Sequence, residues 1–309
     1  MHSVLTGFLP IWAVTALGWL GGRYRLLGDG AQHVLGRFAF TFAMPSLLFL
    51  TMSKSHVGDL ATAGVGVFAA SLVAVFAAGL ALSRWVFHRR QADQAIGAMC
   101  AAYVNSANLG IPVAVHVLHD TSFIIAAALF QMLFITPLIL VLIDLDTHRG
   151  TGDIWPRMLR LPFRNPVIAA SAAGLVVAAF GKGDSLPGEL TSPLQMLGGA
   201  AVPTALFALG MSLNARTRTT PEGRTERRLL VALKVAVQPA LAYVLARYGV
   251  GLSGHALFAV VMCAGLPTAQ NAFIFAAEYD LDTDLPRDTV LLSTLLSMAS
   301  LSLIAYLLA

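Results

Sequence analysis

The sequence predicts an all-α membrane protein of ten transmembrane helices in two inverted five-helix repeats. Three observations carry this: an apolar composition, a one-sided distribution of arginines, and short motifs that recur at nearly one offset. The 309 residues are 57% hydrophobic and only 12% charged, with a mean hydropathy of +0.74, which argues against a water-soluble domain of this length. Stretches near the roughly 20 apolar residues that cross a bilayer fall at 4–21, 34–52, 61–83, 95–118, 122–143, 164–181, 190–212, 229–247, 254–277 and 288–308. The first lacks a basic flank and leads straight into further spans, so it reads as a retained helix rather than a signal peptide.

Alternating the loops along those spans puts sixteen lysines and arginines on one side, from Arg23 to Arg287, and leaves only Lys54, Lys182 and Arg247 on the other. Positive charge marks the cytoplasmic side, so both termini are expected outside. The net charge of +4 therefore serves orientation. No basic patch interleaved with aromatics suggests nucleic acid.

Motifs in the first half return in the second. Met44-Pro45-Ser46 in span two matches Val202-Pro203-Thr204 in span seven, Leu9-Pro10 in span one matches Asn165-Pro166 in span six, and Asn105 to Asn108 can be laid on Pro267 to Gln270. Five spans per repeat invert the second half relative to the first. The expected boundaries are 1–143 for the first repeat, 144–163 for a cytoplasmic linker with a short interfacial helix near 154–159, and 164–309 for the second repeat. The stretch from Asn214 to Arg228 reads as an exposed loop, and the acidic one from Glu278 to Asp288 as a solvated face.

The polar break in span four, AYVNSANLGIPVAV from Ala102 to Val115, is the first candidate for a functional centre. Gly110 and Pro112 cannot sit in an uninterrupted helix, and Pro112 disfavours helical geometry at Ile111. Freed backbone groups are tolerable in a bilayer only under protein or beside a wet cavity. Pro267 marks the corresponding break in span nine. No Asp or Glu falls near the predicted bilayer centre, and freed amides at a helix start favour an anion. Asn105, Asn108, Gln270 and Asn271 can each add an amide donor, which makes them the candidate substrate-binding residues. Lys234, the one charge within a span, either reaches the headgroups or serves as a gate or counter-charge. Ser46, Thr204 and Gln131 are candidate cavity-lining residues, although Gln131 alone beside Pro137 reads first as helix-to-helix glue.

Enzymatic signatures are missing. There is no phosphate-binding glycine loop, no HExxH and no cysteine metal pair, and His116 with His119 is a weak metal pair. No cofactor, metal or catalytic residue is expected, and Cys100 and Cys263 lie in predicted spans where a disulfide framework is not expected.

The stretches RFAFTFAMPSLLFLTMS, NSANLGIP, FQMLFITP, NPVI, AAVPTALFALGMSL and LKVAVQPALAY resemble the auxin efflux carrier family, in the bacterial branch related to plant PIN auxin exporters and to malonate and malate carriers. That resemblance implies a scaffold of helices 1, 2, 6 and 7, a transport domain of helices 3–5 and 8–10, and broken helices four and nine that cross near the midplane. It implies a homodimer joined through the scaffold and a bacterial cytoplasmic (inner) membrane location. The expected function is secondary transport of a small organic anion, a carboxylate, by alternating access, with coupling to protons or sodium unassigned. The related sodium/bile acid carrier fold supplies one alternative, a sodium-coupled organic anion symporter, and a membrane ligand sensor that moves nothing supplies another.

Overall fold

The computed structural model describes residues 2–28, 30–54, 62–110, 113–118, 120, 122–147, 166–181, 186–214 and 221–308. They form eleven helices: α1 His2–Arg23, α2 Ala31–Ser53, α3 Ala63–Val86, α4 Gln91–Ala102, α5 Ser122–Asp146, α6 Pro166–Ala179, α7 Gly188–Ser212, α8 Gly223–Gly249, α9 Gly254–Ala264, α10 Asn271–Glu278 and α11 Asp284–Leu308. Two further π-helical turns, Ser106–Gly110 and Ala114–Leu118, follow α4. The expected linker falls largely outside the described residues, the 154–159 helix entirely so.

Six of these helices, α2, α3, α5, α7, α8 and α11, are long and apolar enough to cross a membrane. This makes a multi-pass membrane protein and corrects the expectation of ten transmembrane helices in two five-helix repeats. For three of the four missing spans, all but the 22-residue α1, the shortfall has a physical reason. The apolar runs at 95–118 and 254–277 do not stay helical, leaving α4 with 12 residues, α9 with 11 and α10 with 8, and α6 has 14, against the roughly 20 that span. The motif match at Pro45 and Pro203 also breaks down structurally: Pro45 follows a π turn at Ala39–Ala43, whereas Pro203 lies inside continuous helix α7.

Three prolines explain three of the π turns in the long helices; the turns that end α3 and α8, Leu82–Val86 and Leu245–Gly249, have no such proline. Pro45, Pro137 and Pro239 each come two residues after a π turn, at Ala39–Ala43, Gln131–Ile135 and Leu233–Val237. A proline ring collides with the carbonyl four residues back and offers that carbonyl no donor. Widening the preceding turn moves that carbonyl aside, and the N–H groups of Met44, Thr136 and Gln238 bond the carbonyls five residues back. The π turn also rotates later side chains about the helix axis, and such bulges gather at functional positions.

Helix packing falls into two sets. In one, α1 lies along α7, and α6 and α7 lie along α2; in the other, α3, α4 and α5 adjoin one another, and α8, α9 and α11 close around them. Glycines let the first set approach to backbone contact. A Cβ on Gly210 would fall 2.0 Å from the Thr15 carbonyl oxygen, one on Gly18 would fall 2.2 Å from that of Phe207, and one on Gly174 would fall 2.6 Å from that of Phe49. Small residues at helix interfaces are how membrane helices gain dispersion contacts when lipid already satisfies their apolar surface.

One end of the bundle is held by ions. Glu226 is fully buried and accepts from Arg89 Nε at 2.9 Å and Nη2 at 2.7 Å; it lies in helix Pro221–Ala232, so the stretch expected as an exposed loop from Asn214 to Arg228 is in part helical and buried. Arg287, 2% exposed, pairs with Asp284 and Asp288 at 2.8 and 2.9 Å and donates to the Ser212 carbonyl at 3.1 Å. Arg227 pairs with Asp288 as well. The acidic stretch expected to be solvated thus supplies partners for buried arginines.

Replacing Gly210 with valine should lower the unfolding midpoint of detergent-purified protein, at a cost of about 1–3 kcal/mol for an overpacked contact. Gly199→Ala, where a Cβ meets nothing within 4 Å, should not lower the midpoint, since alanine is the better helix former. Equal midpoints for both variants would contradict the close approach of α1 and α7.

Candidate functional site

Helix α4 stops at Ala102 and helix α9 at Ala264, and the chain beyond each is unwound. Tyr103 is extended, with φ −74° and ψ 115°. Val104 and Thr268 form an isolated antiparallel bridge: Asn105 N donates to Pro267 O at 2.8 Å and Ala269 N to Tyr103 O at 3.2 Å. Pro267 disfavours helix at Leu266 and has no N–H of its own to satisfy, so this segment brings a carbonyl to the pairing at no cost in lost donors. Each break supplies the partners that the other lacks.

Side chains on neighbouring helices complete the pairing. Gln131, fully buried on the π turn of α5, accepts from Val104 N at 2.8 Å and donates to Val104 O at 3.3 Å and to Ser106 Oγ at 3.2 Å. Its amide acts as one residue of a third strand. On the opposite side Thr268 N donates to Ser293 Oγ of α11 at 3.1 Å, and Thr268 Oγ1 donates to Cys100 O at 2.7 Å. Tyr103 Oη lies 2.8 Å from Thr136 Oγ1.

The structure brings two of the four candidate substrate residues into direct contact: Asn105 Nδ2 donates to Gln270 Oε1 at 3.0 Å, and both side chains are buried. Asn271 is half-buried and opens α10, whose first amides already bond the carbonyls just before it, Ala272 N to Ala269 O at 3.2 Å and Phe273 N to Gln270 O at 3.0 Å. Asn108 lies in the π turn Ser106–Gly110, its side chain outside the described residues, as are Ile111 and Pro112. Gly110 belongs to that π turn, and a Cβ there would fall 2.6 Å from Ile124 Cδ1 and 3.0 Å from Leu266 Cδ1. The helix therefore unwinds at Tyr103, several residues before Gly110, because Asn105 and Val104 have better backbone partners outside the helix.

Lys234 does not reach the headgroups. It is fully buried on the π turn of α8, donating to Gln238 Oε1 and to the Ala264 carbonyl at 3.1 Å, where it caps the end of α9 just before the break. Ser46 is turned to its own helix, donating to Phe42 O at 2.8 Å; Thr204 is half-buried on α7. Cys100 and Cys263 are buried free thiols.

Ser293, Thr136 and Tyr103 were not among the candidates. For Ser293 a signal existed: Thr289, Ser293 and Ser297 recur every four residues in α11 and are all fully buried, a polar stripe on one helix face. Among the described residues no group of three or more His, Cys, Asp or Glu could hold a metal ion.

A multi-pass bundle with two paired breaks and a polar cluster between them is the architecture of a membrane carrier. The chain belongs to the membrane transport protein family, whose model matches residues 3–305. Similar proteins include one from Rhizobium meliloti (strain 1021) named "Putative malonate transporter", 27% identical over 98% of this chain and 95% of its own, and an "Uncharacterized transporter" of Methanothermobacter thermautotrophicus, 27% identical over 96% of this chain and 95% of its own. "Auxin efflux carrier component 1" of Arabidopsis thaliana is 27% identical over 47% of this chain and 23% of its own.

Two outcomes test the site. Gln131→Leu leaves Val104 N without its partner, worth about 1–3 kcal/mol when buried unpaired, while Val104 O keeps Ser106 N at 2.9 Å, so its unfolding midpoint should fall clearly below that of the exposed control Gly199→Ala; an unchanged midpoint would show the clamp to be idle. At the far end of α10, burial holds the Glu278 carboxyl above the usual carboxylate range, with Asp280 adding to the effect and Arg37 and His33 opposing it. A raised folded pKa gives stability that is full below the unfolded value and is lost as pH rises through the folded one. Glu278→Gln should therefore unfold at a higher temperature than the parent at about pH 8 and lose that advantage near pH ~4; the same difference at both pH values would contradict the assignment.

Proposed function

We propose that this chain is a secondary transporter that moves a small organic anion, a carboxylate, across the bacterial cytoplasmic membrane by alternating access. The observation that carries this reading is the Asn105–Gln270 contact set on the paired breaks. There two buried side-chain amides, one from each break, face each other, and Lys234 sits behind the second break on the Ala264 carbonyl. An anion entering such a place exchanges water for oriented N–H groups. The relative named for malonate points to the same ligand chemistry.

Asn105, Gln270, Asn271 and Asn108 are the proposed substrate contacts, with Gly110, Pro112 and Pro267 keeping the chain out of helix beside them. The proposed moving body comprises α3 to α5 and α8 to α11 and the proposed scaffold α1, α2, α6 and α7, a division supported by the two packing sets for every helix but α10, which packs on both. The arginine bias supports an orientation with both termini outside.

Proteoliposome uptake of radiolabelled malonate, with proton and sodium gradients imposed separately, tests the reading. Saturable uptake is expected, and Asn105→Ala and Gln270→Ala should each lower it about tenfold, the worth of one buried polar contact. Dependence on a sodium gradient would favour the symporter alternative. Saturable malonate binding with no flux in either gradient would instead identify a ligand sensor and overturn the proposal.

A further inference from the structure

Beside the Lys234 end of α8 a second feature opens toward the bilayer, a groove of about 670 Å³ between α8, α9 and α11. Its floor is made by Ala236 and Ala240, and its walls by Val261, Leu303 and Leu307; among its twelve lining residues the only hydroxyls are those of Tyr243 and Ser300. The groove follows from local chemistry. Pro239 and the π turns Leu233–Val237 and Leu245–Gly249 bend α8, and alanines on the bent face leave the space that larger side chains would fill.

We propose that this groove binds one acyl chain of an anionic phospholipid, with the lipid phosphate held by Arg247. Its lining runs along α8 from Val235 to Val244, about 14 Å at 1.5 Å per residue, which matches the hydrocarbon depth of one leaflet, roughly half of 30 Å. Water gains nothing from so apolar a lining, and a hydrocarbon chain does. Where the groove ends, the groups change to those of the membrane interface: Tyr248 stands edge-on to Tyr243, ring centroids 6.2 Å apart, and Arg247 beside it is exposed. Tyrosines and a free cation at that depth suit the glycerol and phosphate of a lipid whose chain lies below. The other charge near the groove, Lys234, is at its deep end, buried and bonded to Gln238 and Ala264, so the polarity of the site fixes which way the lipid points.

The test is native mass spectrometry of the full chain with phosphatidylglycerol or phosphatidylcholine of matched acyl chains. Retention of phosphatidylglycerol should exceed that of phosphatidylcholine about fivefold, the worth of one basic side chain at the interface. Arg247→Gln should erase that preference while both lipids still bind. Ala240→Phe, which fills the floor, should weaken both lipids, and Leu303→Trp from the exposed wall gives the same readout if the first variant does not purify folded. Equal retention of both lipids by the parent chain, a preference that survives Arg247→Gln, or unchanged binding when the groove is filled overturns the proposal. So does loss of a dimer rather than of lipid on filling, which would assign the groove to a second copy of this chain.

Discussion

A peptide group withdrawn from water into a bilayer must find a hydrogen-bond partner, and the pairing of Tyr103 to Asn105 with Pro267 to Ala269 is how this fold meets that demand at its centre. Two breaks that would each be expensive alone become mutually satisfying. The polar side chains around them follow from the same constraint. Gln131 serves the outer edge of one segment, Ser293 and the Cys100 carbonyl serve the other, and Lys234 takes up a carbonyl at the end of α9. What is left pointing between the segments is the Asn105–Gln270 pair, so the candidate site is a by-product of backbone accounting as much as a set of ligand contacts.

Position is then set by the long helices. The π turns ahead of Pro137 and Pro239 carry Gln131 and Lys234, which places the clamp and the cap on turns that would otherwise be regular. Glycine contacts let α1, α2, α6 and α7 approach to backbone distance, giving one group of helices little freedom to slide against itself. The other group is tied at one end by the Arg89–Glu226 and Arg227–Asp288 ion pairs. The first, on buried Glu226, is costly to open by removing one partner.

The membrane class, the break in the fourth apolar stretch and the place of Pro267 were legible because composition and proline chemistry are local. Helix number was not. Hydropathy measures whether a stretch tolerates lipid, not how far one helix runs, and the runs at 95–118 and 254–277, polar at Asn105, Asn108, Gln270 and Asn271, divide into pieces too short to span. The unwinding at Tyr103 was misplaced toward Gly110 because the residue that draws Asn105 out of helix, Pro267, is 162 positions away. Ion pairs failed for the same reason: Glu226 and Asp288 look like loop charges until Arg89, 137 positions away, and Arg227, 61 away, are seen. Lys234 was ambiguous in sequence, since a lysine stem of that reach satisfies either a headgroup or the Ala264 carbonyl.

The central claim is that the two unwound segments are held as one paired unit. Hydrogen–deuterium exchange of the protein in detergent micelles, resolved on peptides covering 100–110 and 264–272, tests it most directly. The paired amides of Asn105 and Ala269 should exchange as slowly as those of helices α4 and α9, although both lie outside any helix. Exchange as fast as that of the 250–253 turn would contradict the account.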